Sequence, residues 1–179
     1  MRKLTNNELY RKNTEEFKEA SKTPVIVVLD NVRSLNNVGS VFRTADAFLL
    51  EAVYLCGITG VPPHREIERT ALGATESVRW QYFASTIDAV SDLKNKNYRL
   101  YAIEQAENST QLDEFVFDNN NNKVAVIFGN EVKGVDQSVI YACDACIEIP
   151  QIGTKHSLNI AVSVGIVVWD LFRKIKNGG

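Results

Sequence analysis

The chain has 179 residues, 45% of them hydrophobic and 23% charged, with a formal net charge of −2. That composition fits one domain with a buried core. It excludes a blanket basic signature, so any nucleic acid has to be held by a local patch or by one assembled from two subunits.

In chain order, residues 1–20 predict a charged helix ending near Ser-Lys-Thr-Pro. Residues 24–30, PVIVVLD, form a continuous apolar run of the kind found in a strand covered on both faces. A loop and a helix follow, with Val38, Val41, Phe42, Ala45 and Phe48 at helical spacing. AVYLCG reads as a second strand, ITGVPPHREIE as a surface loop, and TALGA as a short helical or turn segment. Residues 78–83 predict a third strand, 86–94 a helix with Ile87, Val90 and Leu93 inward, and 98–104 a fourth strand. The asparagine cluster at 119–122 predicts a polar turn. KVAVIFG is a fifth strand, VDQSVIYAC a short helix capped by Asp136, and ACIEIP a sixth strand. The last helix spans 157–176, with Ser157 as candidate cap.

Strands alternating with helices, several of them uniformly apolar, predict an α/β fold: a mostly parallel sheet with helices on both faces. The last helix is apolar on nearly every side, which predicts cover from the sheet and from another subunit. The N-terminal residues are charged and lack the apolar core of a signal peptide. The longest apolar run, 160–169, is broken by Ser163 and Gly165 and is too short to span a bilayer, so a cytoplasmic protein is expected. Cys143 and Cys146 form a C-D-A-C spacing. A zinc site needs about four ligands, and only the scattered Cys56, His64 and His156 are left to complete one. The three thiols are therefore expected as buried small side chains.

Three predicted strand ends carry unusual polar residues: Asn37, Gly39 and Arg43; Gly129, Asn130 and Glu131; and Ile149, Gly153, Ser157 and Asn159. Ligands gather at such ends in open α/β sheets. Each group also has a plainer explanation. Arg43 can pair with Asp46 or Asp30, the glycines can serve turns, and Ser157 can cap a helix.

In this order, NNVGSVFRTADAF, VIFGNEVKGVD and IEIPQIGTKHSLNIAVSVGI resemble the three motifs of the SpoU/TrmH family of RNA ribose methyltransferases, within the SPOUT superfamily; TALGA resembles that family too. The likeness runs from about residue 24 to 171. It implies a C-terminal deep trefoil knot, which pattern reasoning does not propose because knots are nearly absent from proteins. It further implies an S-adenosylmethionine-dependent enzyme that works as a homodimer and methylates a ribose 2'-hydroxyl of tRNA or rRNA, leaving S-adenosylhomocysteine. Carried over, the cofactor lies around Ile103, Gly129, Ile149 and Leu158, and the reacting centre is surrounded by Asn37, Arg43, Glu131, Ser157 and Asn159. Gly129 is expected to let the chain approach the cofactor, and Glu131 to orient Arg43 or Asn37.

The division implied is a helical arm, 1–23, and a methyltransferase domain, 24–179. The arm is too short for the separate RNA-binding domain of some relatives, so RNA capture falls to a local surface involving Arg33, Arg43, His64, Arg65, Arg69 and Lys133. Neither membrane nor DNA is expected as a partner. The rival readings are a non-catalytic RNA-binding module of the same fold, a base methyltransferase of another SPOUT branch, and a flavin or dinucleotide protein. The last lacks a G-x-G-x-x-G after the first strand.

Overall fold

A computed structural model describes residues 1–116 and 123–177. The asparagine cluster lies outside the described residues. The N-terminal stretch is not one helix. A 3-10 turn, Asn6–Leu9, and helix α1, Thr14–Glu19, are separated by Tyr10 at φ 45°, and Asn13 caps α1 by accepting from Glu16 N at 2.9 Å. Strand β1, Thr23–Asp30, leads to α2, Leu35–Ala47, then β2, Leu50–Cys56. Helix α3, Arg65–Ala71, replaces the end of the expected loop because His64 Nδ1 accepts from Glu66 N and caps it. Leu72 and Gly73, both at positive φ, turn the chain into α4, Ala74–Ser77, so TALGA is a joint between two short helices.

Strand β3, Trp80–Phe83, α5, Thr86–Asn95, and β4, Arg99–Ile103, follow with the expected bounds within a residue or two, but Ile87 is 39% exposed and Ala89 joins Val90 and Leu93 on the inward face of α5 instead. A two-residue strand β5, Thr110–Gln111, was not foreseen, being too short to show a pattern. The chain ends with β6, Val124–Phe128, α6, Gln137–Ala142, β7, Ala145–Glu148, and α7, Ile160–Lys176. Asp136 caps α6 as expected, accepting from Ser138 N at 2.9 Å. Helix α7 starts later than expected because Asn159 is its cap, accepting from Ala161 N at 2.9 Å.

The seven strands form one sheet in the order β3-β2-β1-β6-β4-β7-β5, with every pairing parallel. β1 shows why a continuous apolar run was the right sign. Val25, Val27 and Leu29 enter a core with α2, α3, α4 and α7, whereas Ile26 and Val28 face α5 and α6 on the other side. Phe17 ties α1 to the first of these cores and is 4% exposed. β6 sits between β1 and β4 although it follows both in the chain, and after β7 the chain crosses back so that α7 packs on α2 and β1. All C-terminal strand ends therefore face one edge, where the loops carrying the polar segments emerge. Among the described residues, no helix is long and apolar enough to cross a membrane.

Candidate active site

Three loops meet at that edge. After β1, Ser34 caps α2 by accepting from Asn37 N at 3.3 Å. After β6, the carboxylate of Glu131 closes onto the same helix start, accepting from Arg33 N and Ser34 N at 3.0 Å each. A carboxylate is favoured there, because the first turn of a helix offers unpaired N–H groups and positive potential. Asn37 Nδ2 donates to Glu131 Oε1 at 3.4 Å, and Asn159 Nδ2 donates to Asn37 Oδ1 at 3.2 Å. Asn159 thus has two duties, capping α7 with its oxygen and linking to α2 with its nitrogen. One polar row, Glu131–Asn37–Asn159, joins segments far apart in sequence. Burial raises the Glu131 pKa, but the N–H groups of Arg33, Glu131 itself and Ser34, with Asn37, outweigh it and hold it below the ordinary 4.5.

The loop behind Glu131 is pinned from several sides. Asn130 Nδ2 donates to Asn31 O at 2.8 Å, and its Oδ1 accepts from Val132 N and Lys133 N. Glu104 Oε2 accepts from Val135 N at 3.0 Å, and the buried Asp30 accepts from Asp136 N at 3.1 Å and from Thr86 Oγ1 at 2.5 Å. Asp30, Glu104 and Asn130 were not singled out from the sequence as supports, since nothing in their local pattern marks a backbone partner so distant.

The other candidate residues fall into two places. Ile103 and Phe128 are in register on β4 and β6, and Ile103 is in register with Ile147 on β7, so Ile103, Gly129 and Ile149 lie at neighbouring strand ends. Ile103 and Ile149 are half-buried against the core, and Leu158 is exposed ahead of α7. Gly129 has a reason for being glycine besides approach to a cofactor. A Cβ there would lie 2.0 Å from Gly134 C and 2.1 Å from Val135 N, so its bare face admits its own returning loop. Gly134, at φ +70°, makes that return possible. Ser157 is exposed three residues ahead of α7 and is not the cap. Of the three thiols only Cys56 is buried, Cys143 and Cys146 being partly so; burial pushes Cys56 and Cys143 up to about 12 and raises Cys146, which keeps all three poorly nucleophilic.

Arg43 stands apart from the row. Six residues beyond Asn37 on α2, it is about 9 Å further along the axis and on another face. It does not pair with Asp46 or Asp30: among the described residues it has no hydrogen bond or ion pair. Asp46 instead accepts from Ser77 Oγ at 2.7 Å. Arg43 lines two clefts, of 550 Å³ and 540 Å³, and neither lies over the strand ends.

A cofactor seated at the strand ends needs an apolar wall and free main-chain donors and acceptors. Ile103 and Ile149 provide the wall, while Val132 and Ile152 are 80% and 105% exposed on the surrounding loops. No main-chain N–H between residues 151 and 158 donates to a protein acceptor among the described residues. One contact braces this loop from outside, Gln105 Nε2 donating to His156 O at 3.1 Å. These features fit an adenosine-bearing ligand read through backbone groups.

A profile of the SpoU rRNA Methylase family matches residues 24–169. The chain belongs to that family. The chain is similar to a TrmH family tRNA/rRNA methyltransferase of Staphylococcus aureus, 30% identical over 163 residues covering 89% of this chain and 63% of the relative. Among solved structures it resembles an AdoMet-bound rRNA methyltransferase from Sinorhizobium meliloti, with TM-score 0.78, 27% identity, and coverage of 88% and 59% of the two chains. It also resembles an RNA 2'-O ribose methyltransferase, with TM-score 0.74, 26% identity, and coverage of 87% and 59%. The chain thus spans less than two thirds of the length of each of these three proteins.

Proposed function

We propose that the protein transfers a methyl group from S-adenosylmethionine to a ribose 2'-hydroxyl of tRNA or rRNA. The observation that carries this reading is the row Glu131–Asn37–Asn159, built from the three motif segments beside the strand ends that offer a cofactor wall. The S. meliloti neighbour, solved with AdoMet, and the ribose methyltransferase neighbour support the donor and the acceptor in turn.

When bound, S-adenosylmethionine supplies an activated methyl group and departs as S-adenosylhomocysteine. The chain's own residues provide alignment and charge. Fixing two reactants in line is worth roughly 7–11 kcal/mol in favourable cases. Ile103, Gly129, Ile149 and Leu158 hold the donor through apolar contact and backbone groups. Asn37 and Asn159, locked by Glu131, set the relation between α2 and α7 and so the width of the site. Arg43 grips an RNA phosphate and stabilises the negative charge developing on the ribose oxygen, an electrostatic role that suits a guanidinium. Taking the proton itself is its secondary role, because a neutral arginine is costly. Ser157, exposed at the mouth of the loop, positions the target nucleotide.

In this reading the unit is residues 24–179, with 1–23 as an arm docked through Phe17. Its last segment is threaded as a trefoil knot, in keeping with the crossing from β7 back to β1. It works in the cytoplasm as a homodimer through α7, on which Val162, Ile166 and Trp169 are 51%, 38% and 54% exposed. DNA is not a partner.

The deciding experiment combines calorimetry of the purified protein with S-adenosylmethionine and S-adenosylhomocysteine and mass analysis of nucleosides from a deletion strain. The expected result is uptake of both ligands and loss of one 2'-O-methylated nucleoside. Loss of a base-methylated nucleoside instead overturns the ribose assignment, and absence of ligand uptake overturns the whole.

A further inference from the structure

We infer that the 550 Å³ cleft between α2 and α3 is a binding site for the phosphodiester backbone of RNA flanking the methylated nucleotide, with Arg69 as a second phosphate ligand beside Arg43. This rests on the RNA methyltransfer reading and deepens it. The cleft is bounded by Arg43 and Arg69, by the hydroxyl-bearing Ser40, Thr44 and Thr70, and by an apolar side that includes Leu72, and no acidic residue lines it.

The lining sets this cleft apart: it carries two guanidinium groups and no carboxylate, whereas Arg2, Lys18, Lys96, Arg99, Arg173 and Lys174 each lie against a carboxylate. Arg43 has no protein partner among the described residues, and Arg69 has only the neutral Asn36, donating through Nη2 to Asn36 Oδ1 at 2.9 Å. Two uncompensated guanidinium groups in one concave surface, on a chain of net charge −2, attract an anion, and arginine's planar fork matches phosphate. The hydrogen bond from Arg69 to Asn36 fixes one edge of the guanidinium and turns it toward the cleft rather than leaving it to sweep through solvent. Ser40 and Thr70 both donate to Asn36 O, at 2.9 and 3.0 Å, so their oxygens present lone pairs to ribose hydroxyls.

The spacing of the walls is built in. A Cβ on Gly39 would lie 2.1 Å from Thr70 Oγ1 and 2.2 Å from Ile67 O, so α3 approaches α2 only because that position is glycine. The close approach brings Arg69 and Arg43 to the same groove. The second cleft, on the other side of Arg43, mixes Arg11 and Lys12 with Asp46 and Glu76 and lacks this one-signed character. The RNA strand therefore runs over α3 rather than over the N-terminal arm.

The test measures binding of bulk tRNA and of rRNA fragments at several salt concentrations for the wild-type protein, Arg69→Ala and Arg69→Lys. Lys94→Ala, on the opposite face of the sheet, serves as a control, and S-adenosylmethionine affinity is measured alongside. Arg69→Ala is expected to weaken RNA binding about tenfold and to lower the slope of log affinity against log salt by about 1. Arg69→Lys is expected to regain the slope but only part of the affinity, and donor affinity stays within about twofold throughout. An unchanged slope and affinity in Arg69→Ala overturns the inference, as does a parallel loss of donor binding, which would mark a structural role. Arg69-dependent binding of inorganic phosphate or a mononucleotide, with RNA binding unaffected, overturns it in favour of a small-anion site. If wild-type protein takes up the donor and RNA while Arg69→Ala is indistinguishable from it, the cleft assignment alone fails. If wild-type protein takes up neither, the methyltransfer reading fails with it.

Discussion

At the start of α2 the polar side chains are engaged with protein: Ser34 and Asn37 with their own helix and Glu131, Asn37 in turn with Asn159. Further along the same helix, Arg43 has no protein partner among the described residues, and across the groove Arg69 touches only an amide. The two regions divide the work. The first uses its hydrogen bonds to fix the relation of three loops, and the second keeps its charge available for something that is not protein. Membership of one sequence motif does not mean one job.

Removing the unengaged charge should give the largest effect. Arg43→Ala is expected to lower single-turnover methyl transfer by roughly 10²–10³-fold while the urea midpoint stays put, and near-normal transfer would end its electrostatic role. Gly39→Ala attacks the frame that brings Arg43 and Arg69 together. Overpacking against Thr70 and Ile67 is expected to cost about 1–3 kcal/mol in chemical denaturation, and an unchanged midpoint would mean that α3 can move aside freely. Asn37→Ala breaks the engaged side: Asn159 loses its acceptor, with an expected cost of about 1 kcal/mol.

The smallest effect is one of pH. The folded Glu131 carboxyl titrates below its ordinary 4.5, so the stability it contributes is complete above that value and is lost as pH falls through the lower folded value. Glu131→Gln should flatten that part of the acid limb in thermal unfolding. An identical limb in the variant would show that the row does not depend on this charge.

Much of the frame was legible in the sequence because burial on both faces leaves a plain mark. Residues 24–30 and 124–128 could hardly be anything but inner strands, and Asp136 announced its helix. The site was legible as a set of segments but not as an arrangement. Ser157 and Asn159 are both good capping residues, and only the path of the loop decides that Asn159 caps. Nothing in the sequence showed that the Cβ direction of Gly129 is filled by Gly134 and Val135, a contact that depends on the loop's return. Arg43 shared a motif with Asn37, yet six residues of helix carry it to another face. Pattern reasoning sees spacing along the chain; these outcomes depend on contacts across it.

The place of β6 between β1 and β4 has a consequence for how the molecule is made. Val25 pairs with Val124, about a hundred positions later, so the inner edge of β1 waits open until that later stretch has left the ribosome. Helices α2 and α3, with β1 to β3, are synthesised well before Glu131 and Asn159. A nascent protein can therefore present its arginine-lined groove well before it owns a place for the methyl donor.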